Sequence, residues 1–448
     1  MQIPLSEIKV LKIEFEKLLN SEEWCSILLK GNLYEFESLL HQEMLELYNK
    51  VAERLIKLIS LKSVFVNTQK ERAKEEGLKK LEFRTSNLQL RTGKKIRYDS
   101  LYAKSAPEGY KSTRHLSLLI FQAEESTSPM YKSLSCLHSV LCPSFQVAKE
   151  LMNYQGIKVN FDRIRQNSLS LADAGMEKRG SIQLEEGESL AGKRVVIAID
   201  GGRTRTRVYE EEEQKKGRNR KFDTPWREPK LFVISTIDEN GKMNKETKPI
   251  YDGSFGDDET FELLKQYLGN LEIEKAKSVQ FLGDGAPWIW NRACPMLLQL
   301  GVKKENIIET LDYYHASEHI HEMKVYFDED KQGAYFDKVK DALWQGDFSQ
   351  MTQLIQKGIT GVNLKEFTPF KYFEKQRNRI DYQALRSQNR PCGSGIIESG
   401  IRRIINLRFK SPSSFWFPEN VEKLIFMRAA ALSGRWEIMM KNLFCNKI

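Results

Sequence analysis

The chain has 448 residues, enough for two or three domains with a sizeable core. Hydrophobic residues make up 40% and charged residues 29%, which is typical of a soluble globular protein. No apolar run approaches the ~18 residues of a transmembrane helix, and the N-terminus lacks the pattern of a secretory signal, so a membrane protein is excluded. The scattered cysteines fit a reducing compartment, and we expect a soluble cytoplasmic protein.

The net charge of +9 is unevenly distributed along the chain. Between Arg386 and Ile448 there are eleven Lys and Arg against four Glu, so this segment alone carries +7. Concentrated positive charge favours a polyanion such as nucleic acid as partner, although a solvated surface can show the same composition.

The first 135 residues are predicted to contain helices and one hairpin. Residues 1–75 form a helical N-terminal region, in which apolar residues at spacings of three and four predict an amphipathic helix over 33–58. Residues 76–135 contain alternating stretches on either side of Gly93, and these predict a β-hairpin with a basic turn. That turn could lie along a phosphate backbone or be simply solvated.

Residues 136–173 predict a pair of short helices. Ser144 can cap the first helix, with Val147, Ala148 and Leu151 facing inward. Asn160 can cap the second, which exposes Arg163 and Arg165. This is the outline of a helix-turn-helix, whose second helix would enter the major groove of DNA. Plain helical packing is an equal alternative. The polar, glycine-containing residues 174–193 are predicted to be a linker.

Residues 194–448 predict a mixed sheet with helices on its faces. Apolar runs predict five strands, at Val195–Asp200, Lys230–Asp238, Lys248–Tyr251, Val279–Asp284 and Ile307–Asp312. A helix is predicted at Asp257–Leu268, and helices follow the fifth strand from Tyr313 to about Tyr382. The charge run Glu210–Lys221 predicts an exposed loop.

Two of these strands end in the same manner, with an aspartate followed by glycine. Asp200 and Asp284 would lie close together if their strands are neighbours in the sheet. Hard oxygen ligands with no thiolate cluster predict Mg²⁺, with Mn²⁺ as a substitute. The candidate third ligand is Glu398, beside the apolar stripe of a basic helix that Ser394 can cap. An ordinary exposed helix acid is the alternative for Glu398.

Five longer motifs in this order resemble the DDE transposases of bacterial insertion sequences, specifically the Kra-type group. The motifs are IAIDGGRTRTR, TPWREPKLFVI, FLGDGAPWIWNR, LDYYHASEH and GSGIIESGIRRIINLRFK, and the resemblance extends from about Val195 to Trp436. It implies an RNase H-like (retroviral-integrase-like) fold over 194–448, in which Asp200, Asp284 and Glu398 are the catalytic, metal-binding acids.

The resemblance also implies a helical insertion at about 316–390, between the second acid and the third. The spacings of 84 and 114 residues between the acids agree with this. Asp312 and His315 match an Asp-x-x-His signature of transposases with such insertions, although a structural histidine at a strand end is as consistent with the sequence. The implied partners are double-stranded DNA, as transposon ends and target, and a second copy of the chain in a dimer or larger synaptic complex. The implied location is the bacterial cytoplasm, at the nucleoid.

The expected chemistry is phosphoryl transfer that frees a 3′-OH at the transposon end and joins it to target DNA, with no organic cofactor. Arg203, Arg402 and Arg403 are placed to hold phosphates, and Lys410 extends the basic flank. Trp288 could stack on an unpaired base, although a tryptophan at a helix start is more often part of the core.

Other functions are compatible with parts of this pattern. IAIDGGRTRTR also resembles the first phosphate loop of actin-like and sugar-kinase ATPases, but the basic helix with Glu398 suits DNA better. A catalytically inactive, domesticated DNA-binding protein, or a nuclease with the same acids, would share most of the sequence features.

Overall fold

The computed structural model describes residues 5–19, 22–209, 221–329, 332–361, 363–364, 366–411 and 414–445. Most of the charge run predicted as an exposed loop, residues 210–220, lies outside these ranges. The chain divides into two compact units, Met1–Leu171 and Ala172–Ile448.

The N-terminal unit consists of helices and one two-stranded sheet. Its elements are α1 (Leu5–Leu19), α2 (Glu22–Leu29), α3 (Leu33–Ser60), α4 (Ser63–Glu75), β1 (Lys79–Gln89), β2 (Lys95–Ser105), α5 (Leu116–Ile120), α6 (Pro129–Leu141), α7 (Phe145–Tyr154) and the start of α8 (Phe161–Met176). The predicted amphipathic helix and hairpin are confirmed as α3 and the antiparallel pair β1–β2.

The predicted pair of capped helices is confirmed as α7 and α8. The Val147 N–H donates to the Ser144 hydroxyl at 3.1 Å, and the Arg163 N–H donates to Asn160 Oδ1 at 2.8 Å. The predicted inward residues of α7 were wrong in part, since Val147 and Leu151 are exposed. Ala148 is buried as predicted, and Met152 is buried in place of the two exposed residues, because the packed stripe is rotated around the helix axis.

The second unit is built on a five-stranded mixed sheet, which confirms the predicted mixed α/β architecture. Its strands, in spatial order, are β9 (Ile250–Asp252), β8 (Lys230–Ile237), β3 (Arg194–Gly201), β10 (Ser278–Gly283) and β11 (Ile307–Leu311). Strands β3, β10 and β11 are parallel, whereas β8 and β9 are antiparallel to their neighbours. A small ribbon follows β3 and contains β4 (Thr204–Arg205), β5 (Val208–Tyr209), β6 (Phe222–Asp223) and β7 (Trp226–Arg227).

Both faces of the sheet are covered by helices. On one face, Val195, Ile197 and Ile199 form a core with α9 (Asp257–Asn270), α10 (Pro287–Trp290) and α11 (Ala293–Gln299). The other face, which includes Leu231, packs against α17 (Gly395–Gly400), and a π-helical turn and α18 (Leu407–Phe409) continue that helix. Helices α19 (Pro418–Leu432) and α20 (Trp436–Phe444) complete the unit.

Helices with a core of their own lie between β11 and α17, as predicted. They are α12 (Tyr313–Met323), α13 (Gln332–Trp344), α14 (Phe348–Gly358), α15 (Thr368–Gln376) and α16 (Tyr382–Ser387). No helix in the described part of the chain is long and apolar enough to cross a membrane.

Residues 174–193, predicted as a linker, belong to the second unit and pack within it. The Arg179 side chain is 10% exposed and forms a 2.6 Å ion pair with the fully buried Asp252. Gln183 and Leu190 are also buried. The glycines and charges of this segment have the composition of a linker. The packing of Arg179 is not visible in that composition, because its partner Asp252 lies 73 residues further along the chain.

Candidate active site

Three aspartates lie at the carboxyl ends of three adjacent parallel strands. Ala198 pairs with Leu282, which puts Asp200 and Asp284 at the same level, and Gly283 pairs with Leu311, which puts Asp312 at that level too. The carboxyl ends of parallel strands are where open α/β sheets bind ligands. The sheet therefore brings Asp200 and Asp284 together as predicted and adds Asp312 beside them.

Asp200 is a largely buried carboxylate beside other negative charges. Burial, assisted by the charges of Asp284 and Glu228, raises the pKa of Asp200 to about 6. The Gly201 N–H donates to Asp200 Oδ1 at 2.6 Å and works in the opposite direction, as does the nearby His315 imidazole. A buried, repelled carboxylate is stabilised in its charged form by a cation, so this position suits a metal ligand.

Asp284 begins a sharp turn that leaves little space. Its Oδ1 accepts the Ala286 N–H at 2.8 Å, and its backbone carbonyl accepts the Trp290 indole N–H at 2.6 Å. The next residue, Gly285, lies under the ring of Tyr372, where an added Cβ would be only 2.0 Å from a ring carbon. Glycine is needed after Asp284 because the α15 side chain packs directly onto the backbone.

Asp312 is fully buried and its two oxygens are occupied by backbone donors. Oδ1 accepts the N–H groups of Tyr314 and His315 at 2.6 and 3.0 Å, which caps α12. Oδ2 accepts the Ser394 N–H at 2.5 Å. Asp312 therefore fastens the start of the helical insertion to the residue that precedes α17.

Glu398 lies on α17, which packs on β3 and β8 across the sheet face opposite α9. Ile397, Ile401, Ile404 and Ile405 are buried as predicted. Ser394 does not cap the helix with its side chain; its hydroxyl donates to Glu398 Oε1 at 3.4 Å. The helix becomes π-helical over Ile401–Asn406, a feature that often marks functional sites.

The three predicted acids are not gathered around one point. Among the residues that the structure describes, no three His, Cys, Asp or Glu side chains are arranged to hold a single metal ion. The geometry consists of a pair at one level of the sheet, Asp200 and Asp284, and a third acid, Glu398, which is exposed on the neighbouring helix.

Glu228 is a further acid close to Asp200 that the sequence did not identify. Glu228 raises the pKa of Asp200, and its Oε1 accepts from Lys230 Nζ at 2.6 Å. Lys230 is level with Gly201 because β8 returns antiparallel to β3. The motif TPWREPK contains both residues, but only the strand pairing reveals that they border Asp200.

Sequence reasoning also did not identify Tyr372 of α15. Burial, with the charges of Asp284 and Asp312, raises the pKa of its phenol, so the phenol keeps its proton at neutral pH. The ring contacts His319 with centroids 4.0 Å apart. No local sequence signal predicts this contact, since Tyr372 lies 88 residues after Asp284.

The remaining predicted residues of this unit differ in their exposure and contacts. Arg203, Arg402, Arg403 and Lys410 are exposed, and His315 is half-buried with its Nδ1 3.6 Å from Glu318. The Trp288 ring is half-buried, contacts Phe261 edge-on and lies under the Lys230 ammonium at 4.6 Å. Trp288 is thus largely engaged with its own fold.

In the N-terminal unit, Arg163 and Arg165 lie near the start of α8, half-buried and exposed respectively. Arg163 lines a cavity of about 370 Å³ together with Lys95 and Lys158. The hairpin turn is fixed to this place because the Lys158 N–H donates to Thr92 O at 3.1 Å. The basic hairpin turn and the helix pair, predicted as separate features, therefore share one basic surface.

Comparison with known proteins adds little to this geometry. No family model matches the chain, and no curated protein sequence matches it. Among solved structures, the Drosophila P element transposase strand transfer complex is similar over 72% of this chain and 83% of that chain, with 12% identity and a TM-score of 0.27.

Proposed function

We propose that this protein is a DDE transposase of the Kra-type insertion-sequence group, which cleaves transposon ends to a 3′-OH and joins that end to target DNA. The observation that carries the proposal is the pair Asp200 and Asp284, level at the ends of adjacent parallel strands. Glu398 is the third acid, on a helix that packs on the same strands.

The sheet supports an RNase H-like fold for the second unit. Three antiparallel strands in meander order, β3, β8 and β9, are extended on the other side of β3 by the parallel strands β10 and β11. The helical insertion enters after β11 and leaves at α17, between the second acid and the third. The five motifs of the sequence lie on these elements in order.

The donor set fits a hard divalent cation. Both acids of the pair are carboxylates, and burial, together with the charges of Asp284 and Glu228, raises the pKa of Asp200. Asp200 and Asp284 would hold Mg²⁺ or Mn²⁺. Glu398, which among the described residues does not meet the pair around one point, is proposed as the third ligand. When bound, divalent cations stabilise the attacking and leaving oxygens of an in-line displacement at phosphorus.

The chain's own residues position the DNA and the ligands. Arg203, Arg402 and Arg403 are exposed cations on the loop after β3 and on the π-helical turn, where they can bind the phosphates that flank the reacting bond. Asp312 holds α12 and the start of α17 together and so fixes the position of Glu398. Water attacks the phosphodiester at the transposon end, and the 3′ oxygen leaves as a 3′-OH. That 3′-OH then attacks a phosphodiester of the target DNA, whose own 3′ oxygen leaves, so no side-chain nucleophile is needed.

The turn after β3 argues against the ATPase alternative. A phosphate loop presents free backbone N–H groups to its ligand. Here the Gly201 N–H donates to Asp200 Oδ1, and the Gly202 N–H donates to Pro229 O at 2.9 Å. Both glycines therefore use their donors within the protein.

End recognition is proposed for the N-terminal unit. Lys95 at the hairpin turn, Lys158 on the connection between α7 and α8, and Arg163 on α8 lie around one cavity. Among the described residues, these side chains form no ion pair. Such cations bind DNA phosphates. Because transposition brings two ends together, we propose that the protein acts as a dimer or a larger synaptic complex.

The test is incubation of the purified protein with Mg²⁺ and DNA that carries the terminal sequences flanking its own gene. We expect nicks that leave 3′-OH ends, followed by strands joined to target DNA. Nicks without joined strands would identify a nuclease, and absence of both in Mg²⁺ and Mn²⁺ would contradict the proposal. ATP hydrolysis without DNA would favour the ATPase.

A further inference from the structure

A short β-ribbon leaves the sheet directly after Asp200. Its described legs are residues 203–209 and 221–229, in which β4 pairs with β7 and β5 with β6. The Gly202 N–H bond to Pro229 O closes its base beside the acidic pair. The ribbon therefore lies next to the site where a phosphodiester bond would react.

Arginines and aromatic rings alternate along the ribbon. The Arg205 guanidinium lies 5.2 Å from the Trp226 ring centroid, and Arg207 lies 4.2 Å from that of Phe222. Phe222 and Tyr209 contact each other edge-on at 6.1 Å. Arg205, Arg207 and Tyr209 are two residues apart, so a β-ribbon presents them on one face.

Trp226 is the most exposed ring of this group. It retains 55% of its accessible surface, whereas the neighbouring Thr206 is fully buried. The ribbon is anchored along Thr206, since the Arg207 N–H donates to Trp416 O at 2.7 Å. A tryptophan on an anchored strand pair offers a flat apolar surface at a fixed place.

The charge of the ribbon is positive. Its described legs hold Arg203, Arg205, Arg207, Lys221 and Arg227 against Asp223 and Glu228, and Glu228 is paired with Lys230. Arg205 and Arg207 form no ion pair with any carboxylate of the described ranges. Cations interleaved with aromatic rings are the pattern that binds nucleic acid strands, through phosphate contacts and base stacking.

We propose that this face binds unpaired DNA, with a base stacked on Trp226 and the phosphates on either side of it bound by Arg205 and Arg207. Bases inside a duplex are already stacked on each other and cannot reach Trp226, so the ring selects a strand that is unpaired. The inference rests on the proposed function, because it says that the DNA bound next to Asp200 and Asp284 is single-stranded.

The experiment measures binding of fluorescein-labelled oligothymidine to the full-length protein by anisotropy, in EDTA so that no cleavage occurs. Trp226→Ala should weaken this binding by about 5- to 100-fold, the range expected for loss of one stacked base. Affinity for a duplex of equal length should change less than about twofold. Arg205→Ala should lower the slope of log affinity against log salt by about 0.7, as for one single-strand phosphate contact.

Two further variants make the result decisive. Trp226→Phe keeps a ring and should retain most of the affinity, and Tyr326→Ala, which removes a comparably exposed ring from the helical insertion, should have no effect. Wild-type affinity of Trp226→Ala for oligothymidine, or equal weakening for the duplex, would overturn the inference. Failure of the cleavage test would contradict the proposed function and leave these metal-free binding constants unchanged.

Discussion

The carboxyl ends of β10 and β11 lie side by side, and each is followed by an aspartate at the same level of the sheet. Among the described residues, Asp284 accepts one backbone N–H on its side chain and Asp200 also one, whereas Asp312 accepts three. Within the described part of the chain, Asp200 and Asp284 therefore each keep a carboxylate oxygen without a backbone donor, while both oxygens of Asp312 accept hydrogen bonds from the chain. Equivalent positions in the sheet thus differ in the N–H donors around them, and we expect their roles to differ accordingly.

The largest expected effect is on DNA cleavage by Asp200→Asn and Asp284→Asn. Each change keeps the size of the side chain and removes a charged ligand, so we expect a loss of at least about 1000-fold. End-labelled DNA and Mg²⁺ measure it, and binding to DNA in EDTA should persist. Cleavage by either variant within tenfold of wild type would remove the pair from the mechanism.

Glu398→Gln is expected to reduce cleavage by about 100-fold or more, as loss of the third ligand. Glu228→Gln is the matched control, because Glu228 is also an exposed acid whose charge reaches Asp200. It should reduce cleavage less than about tenfold, since its partner is Lys230. A larger loss from Glu228→Gln than from Glu398→Gln would assign the third ligand to Glu228.

For Asp312→Asn the expected effect is on stability rather than on a chemical step. The amide can accept hydrogen bonds only at one oxygen, so its NH₂ group faces the Ser394 N–H. Two donors then face each other without an acceptor, and the free energy of unfolding should fall by about 3 kcal/mol. Urea unfolding measures it. A variant with wild-type stability but no activity would move Asp312 into the group of metal ligands.

The free energy of unfolding should depend on pH through the buried Asp200 carboxyl. In metal-free protein the pKa of Asp200 is about 6 when folded and near 3.8 when unfolded, so the unfolded state loses this proton first as pH rises. Stability contributed by this group is therefore present below pH 4 and is lost between pH 4 and pH 6. Above pH 6, Asp200→Asn should be more stable than wild type by at most about 3 kcal/mol, because a tenfold change in acid dissociation equals about 1.4 kcal/mol.

Chemical denaturation of wild type and Asp200→Asn at pH 4 and pH 7, both in EDTA, measures this difference. The two proteins should converge at pH 4. A variant that is less stable than wild type at pH 7 would contradict the burial of an uncompensated charge at this position.

The strands, the helical stretch after β11 and the pair Asp200 and Asp284 could be predicted because their signals are local. Apolar runs that end in Asp-Gly identify a strand and the acid at its carboxyl end together. The position of Glu228 beside Asp200 could not be predicted, because it depends on β8 returning antiparallel to β3. The linker prediction failed for the same reason, since the ion pair of Arg179 with Asp252 joins distant segments.

The hydrogen bonds of Asp312 could not be predicted from the sequence. The sequence identifies it only as part of an Asp-x-x-His signature, whereas its hydrogen bonds join the start of α12 to the residue that precedes α17. Its bond to the Ser394 N–H spans 82 residues, and no periodicity or spacing indicates it. The spacing of the isoleucines fits an ordinary α-helix, so the sequence does not predict the π-helical turn after α17 either.

The central claim is that Asp200 and Asp284, and not Asp312, form the cation site. Calorimetric titration of the DNA-free protein with Mn²⁺ at pH 7.5 tests it directly in wild type, Asp200→Asn and Asp312→Asn. We predict that Asp312→Asn, at a temperature where it is folded, binds Mn²⁺ as wild type does, whereas Asp200→Asn loses at least about tenfold in affinity, or 1.4 kcal/mol. Wild-type affinity in Asp200→Asn together with loss in Asp312→Asn would contradict the account.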